Sequence, residues 1–109
     1  MNPGIFAKHA LDFVARYRNW FLLNGNPFAG IMKTSLHYRC PNLHAVVVKP
    51  SVAYPMTPPI IHVTPALNHD CVRDDRSIHL FENSWARVRG YRNPLVQIEI
   101  SLRKEFGLY

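Results

Sequence analysis

The chain has 109 residues and is 48% hydrophobic, which suits one domain around one packed core and leaves no room for a second. Its net charge of +6 comes from 13 Lys and Arg scattered without a long like-charged block, so an acidic or nucleic-acid partner is permitted but not demanded. Two cysteines exclude a disulfide framework, no apolar run approaches the roughly 20 residues of a bilayer span, and the aromatic residues form no base-stacking row.

The N-terminus has no apolar run behind a basic region, so no signal peptide is expected and the cytoplasm is the expected compartment. Asn2-Pro3 reads as a helix cap with proline at the first helical position. Phe6, Ala10, Phe13, Val14 and Tyr17 recur at helical spacing, with Lys8, Asp12 and Arg16 on the other side, and this predicts an amphipathic helix ending near Arg18. Trp20 to Leu23 is a short apolar run before a turn at Asn24-Gly25-Asn26-Pro27. Met32, Leu36, Tyr38 and Cys40 alternate with Lys33, Ser35, His37 and Arg39, the period of a half-buried antiparallel strand. After a turn at Pro41-Asn42, the strand from Leu43 to Val48 holds Ala45-Val46-Val47-Val48, which suggests a central place in a sheet.

Pro55, Pro58 and Pro59 each fix φ and remove a backbone donor, so the stretch from Tyr54 to Pro59 must be a stiff turn. A short strand follows at Ile60-Ile61-His62-Val63 and stops at Pro65. An irregular polar loop from Asn68 to Ser77 carries His69 and Cys71, and closes on Ile78-His79-Leu80. Phe81 to Gly90 contains Trp85, Arg87 and Arg89. Asn93-Pro94 repeats the cap-plus-proline start, Leu95, Ile98, Leu102 and Phe106 fall at helical spacing, and Gly107 would end that helix. A rival reading exists, because Val96, Ile98, Ile100 and Leu102 also alternate as in a strand. The caps favour helix. The expected fold is therefore α+β over residues 1–109: an N-terminal helix, an antiparallel four-stranded meander, a loop and a C-terminal helix.

The stretch from Tyr54 to Leu80, about a quarter of the chain, resembles the core of ubiquitin-conjugating enzymes. In that family a Tyr-Pro-x-x-Pro-Pro turn leads into a strand, then a His-Pro-Asn tripeptide, and the catalytic Cys follows eight residues after the Asn in an Ile-Cys-Leu setting. Tyr54, Pro55, Pro58 and Pro59 match the turn without a gap, His69 matches the tripeptide His, and Ile78 and Leu80 match the flanks of the nucleophile. The departures fall at the chemical positions: Asp70 replaces the Pro, Cys71 the Asn, and His79 the catalytic Cys. The resemblance implies a helix crossing behind the sheet after the active site. The family's last two helices have no counterpart, so it implies a trimmed version of the fold.

The family mechanism needs a carrier that is both nucleophile and leaving group, which a thiolate is. An acyl-imidazole at His79 would hydrolyse quickly, and Cys71 is no oxyanion donor. The resemblance thus implies a non-catalytic relative that binds a ubiquitin-like modifier or a partner in such a pathway. Tyr54, Pro55, Pro58, Pro59, His69, Asp70 and Trp85 would form the binding wall, with no cofactor and no membrane association. A second reading makes Cys71 and His79 a Cys–His pair in which the imidazole lowers the thiol pKa, so that Cys71 carries the acyl group. A zinc reading of His62, His69, Cys71 and His79 matches no standard ligand spacing. A fourth makes the chain a basic adaptor for RNA or an acidic protein, using Arg73, Arg76, Arg87 and Arg89. Asp70, Asp74 and Asp75 beside the loop argue against nucleic-acid contact there.

Overall fold

The computed structural model describes residues 3–37, 43–64, 72–81 and 84–106. The first helix, α1 (Pro3–Arg16), buries Phe6, Ala10 and Phe13 and leaves Lys8, Asp12 and Arg16 in solvent. It stops two residues before the expected end. There the Tyr17 amide closes the last turn on the Phe13 carbonyl (2.9 Å), and the chain folds back so that Trp20 enters the core. Phe13 stacks on Tyr17 and meets Trp20 edge-on, an aromatic corner that joins the helix to the sheet.

The sheet is an antiparallel meander in the order β1 (Phe21–Leu22), β2 (Ile31–His37), β3 (Leu43–Lys49) and β4 (Ile60–Thr64). The turn between β1 and β2 passes through Asn24 and Gly25, both at positive φ. Gly30, just before β2, has φ +143, and a Cβ there would collide with the Val48 carbonyl oxygen of β3. Only glycine lets the two backbones approach so closely at that point.

Register divides the side chains between two faces. Ile31 pairs with Val48, Lys33 with Val46, Val46 with Val63 and Val48 with Ile61, and all six are buried. The intervening row of Phe21, Met32, Val47 and His62 lies on the other face, where Phe21 is exposed and the rest are half-buried. The alternation in β2 implied Met32 inward and Lys33 outward, and the structure reverses that. The strand follows Ile31 into the core, and Lys33 is accepted there because a buried carboxylate, Glu99, stands 3.7 Å from its Nζ. Between Lys33 and Leu36 three steps along β2 match two along β3, a bulge of one extra residue. Such a bulge exchanges the faces of the side chains beyond it, so a single period cannot describe the whole strand.

The residues from Trp85 to Val88 form a single helical turn, α2, and Pro94–Phe106 forms α3. Leu95, Ile98 and Leu102 are buried while Ile100 is 50% exposed, so the helical spacing governs here and not the alternation. Asn93 caps the helix as expected: its Oδ1 accepts from the Leu95 amide (3.1 Å). Its Nδ2 donates to the His9 carbonyl (3.0 Å) and to Asp12 Oδ2 (3.3 Å), which ties α3 to α1. The buried side chains of α1, α3 and the inward sheet face join in one core. The α+β arrangement expected from the chain is the one observed.

Candidate functional site

The proline turn is anchored by Tyr54, which is buried among three aromatic rings, two from α1 and one from α2. Its ring lies edge-on to Phe6 at 5.1 Å and to His9 at 5.7 Å, and 6.4 Å from Trp85. Its hydroxyl is hydrogen-bonded to His9 Nδ1 at 2.7 Å. Burial pushes the tyrosine pKa upward, so the phenol stays protonated. Burial also lowers the His9 pKa, helped by Lys8 and opposed by Asp12, so its imidazole favours the neutral form. The Tyr54–Pro55 peptide is cis, and the Pro55 carbonyl accepts a hydrogen bond from Trp85 Nε1 (2.9 Å). Tyr54, Pro55 and Trp85 are thus brought together, with Tyr54 and Trp85 buried in the core and Phe81 packed on Trp85 at 5.8 Å. Pro59 is buried and Pro58 faces solvent.

The described part of the loop begins at Val72, which bridges Ile78 across a tight turn. In that turn Arg73 accepts from the Arg76 amide (2.9 Å) and donates to the Ser77 carbonyl (2.9 Å), with Arg76 at φ 69. The segment after it adds to the outer edge of β4. Ser77 stands opposite His62, the Val63 amide donates to the Arg76 carbonyl (3.0 Å), and the Ile78 amide donates to the Ile61 carbonyl (2.7 Å). This pairing was not foreseen for a segment that reads as irregular and polar. Ile78 is buried, and His79 points into solvent.

His79 Nε2 lies 2.9 Å from Ser77 Oγ, and Ser77 Oγ donates to Asp75 Oδ1 (2.5 Å). The same carboxylate oxygen accepts from the Ser77 amide at 3.0 Å. These two bonds from Ser77 hold the Asp75 carboxyl below the usual carboxylate range, with a further contribution from His62 and His79. Because the serine proton is directed at Asp75, the bond to His79 needs a proton from the imidazole. The order is therefore Asp–Ser–His, with the hydroxyl in the middle. A serine nucleophile instead needs the imidazole as its base, oriented by the carboxylate. As arranged, the three side chains hold one another and do not activate a hydroxyl.

His69, Asp70 and Cys71 lie outside the described residues, so the pairing of Cys71 with His79 is not placed. Of the zinc candidates, His62 is half-buried on β4 and His79 is exposed, and among the described residues no three His, Cys, Asp or Glu side chains group as metal ligands. Arg73, Arg76, Arg87 and Arg89 are all exposed, and Arg89 Nη1 contacts Met56 Sδ at 3.1 Å. No helix among the described residues is long and apolar enough to cross a membrane. Sequence reasoning missed Asp75 and Ser77 as partners of His79. Their spacing was the available signal, because residues two apart in an extended segment share a side. No family model, curated protein or solved structure matches the chain.

Proposed function

We propose that this chain is a non-catalytic relative of ubiquitin-conjugating enzymes that binds a ubiquitin-like modifier or a partner in such a conjugation pathway. The observation that carries the reading is the placing of His79. The position that resembles the acyl-carrier site holds an exposed imidazole just after the segment that pairs with β4, and its Nε2 lies 2.9 Å from Ser77 Oγ. A ring held in this way suits recognition, and no thiol at that position can accept a modifier's carboxylate. The leading helix, the meander, the Tyr54–Pro59 turn and the closing helix α3 follow in the order that the resemblance requires.

The test is a charging reaction with an activating enzyme, ATP and a ubiquitin-like protein, paired with an NMR titration of the same modifier. The expected result is no reductant-sensitive adduct and a saturable set of shifts around Trp85 and His79. An adduct that disappears in Cys71→Ser would replace this reading with an active carrier.

A further inference from the structure

An open groove of about 970 Å³ is lined by α1, α3 and the residues that lead into α3; His79 is not among its lining residues, while His9, which bonds the Tyr54 hydroxyl, is. Its lining mixes polar side chains such as His9, Asn93 and Gln97 with accessible apolar ones: Ile5 and Val96 are half-buried, while Leu11 is 50% exposed and Tyr91 is 49% exposed. Lys8, Arg16 and Arg92 stand around it, and among the described residues none of the three makes an ion pair. The one carboxylate in the groove, Asp12, already accepts from Asn93 Nδ2 at 3.3 Å. The groove therefore offers three uncommitted cations around accessible apolar side chains.

We propose that this groove docks an acidic peptide segment with apolar anchor side chains. Its carboxylates would meet Lys8, Arg16 and Arg92, and its apolar side chains would cover Leu11, Tyr91 and Val96. Charge complementarity selects this occupant. A second copy of the chain would bring another +6 and only 7 acidic residues to a cationic rim. A nucleic acid would satisfy the cations but leave the aliphatic side chains wet, and Tyr91 alone is no stacking platform. The inference rests on residues other than those of the proposed function, so either can fail without the other.

The experiment uses the full chain and a short fluorescein-labelled peptide built from Glu, Leu and Phe, read by anisotropy. Two control peptides replace Glu by Gln, or Leu and Phe by Ala. A single-stranded oligonucleotide serves as a third probe. Saturable binding of the first peptide is expected, weakened about tenfold by Lys8→Glu with Arg92→Glu and by removing either its charges or its anchors. Leu11→Ser changes an exposed side chain, so its melting curve should match the parent while its peptide affinity falls. The proposal is overturned if the peptide fails to saturate, or if the rim and Leu11 variants bind it like the parent. It is equally overturned if the oligonucleotide binds more tightly and ignores Leu11→Ser, or if sedimentation shows a dimer that Leu11→Ser dissolves.

Discussion

At the scale of single residues, the most constrained group is Glu99. It is 1% exposed, and its carboxylate accepts from Trp20 Nε1 (2.5 Å) and Arg103 Nε (2.7 Å) while Lys33 Nζ stands 3.7 Å away. Lys33 is itself buried, over the Trp20 ring at 6.0 Å. Removing one partner of a buried ion pair leaves the other charge without compensation, which costs far more than the pair contributes. Glu99→Ala should therefore lower unfolding stability by about 3–5 kcal/mol in denaturant titrations. Lys33→Met combined with Glu99→Gln removes both charges and keeps an acceptor for the Trp20 N–H. It should return to within about 1 kcal/mol of the parent. A single variant as stable as the parent would show that the lysine has another way to be satisfied. Nothing in the sequence pointed to this pair, because Lys33 reads as an outward strand residue and Glu99 as an ordinary polar helix position. Their meeting is a product of how α3 lies on β2.

At the scale of elements, the start of α3 does two jobs with one side chain. Asn93 Oδ1 caps the helix and its amide nitrogen bonds two groups on α1. Asn93→Ala removes both and should cost about 2 kcal/mol, whereas Asn93→Ser restores an acceptor for the cap and should cost about half as much. Thermal melts at one pH separate these outcomes, and equal losses would mean that the link to α1 contributes the whole effect. The cap itself was legible, because Asn followed by Pro marks a helix start whatever surrounds it. The link was not, since His9 and Asp12 are far away in sequence. The same division applies around His79. The proline turn could be read from Tyr54, Pro55, Pro58 and Pro59, but the pairing of Arg76, Ser77 and Ile78 with β4 could not. That pairing depends on an edge that exists only once β4 has been placed.

At the scale of the whole molecule, helices cover one face of the sheet and leave the other partly open. Val46 is fully buried on the covered face, and Val47, the next residue, is half-buried on the open one. On the covered face Val48, equally buried, has Ile31 and Ile61 as its cross-strand neighbours, neither of which can bond a hydroxyl, so Val48→Thr should cost about 2 kcal/mol. Val47→Thr should change stability by less than about 0.5 kcal/mol, because its hydroxyl reaches water. Denaturation midpoints of the two variants compare the faces directly, and equal losses would mean that the open face is covered in solution.

The sequence by itself determined the elements: two amphipathic helices, a meander, a rigid proline turn, and a helix at Pro94–Phe106 despite an alternating pattern within it. These follow from local physics, namely side-chain period, caps and the fixed φ of proline, which act within a few residues. Only the tertiary structure decided which valine faces inward, why a lysine lies in the core, and how an aspartate and a serine came to hold His79. Those outcomes are set by packing and hydrogen-bond satisfaction between segments distant along the chain, and their free energy arises only when the segments meet.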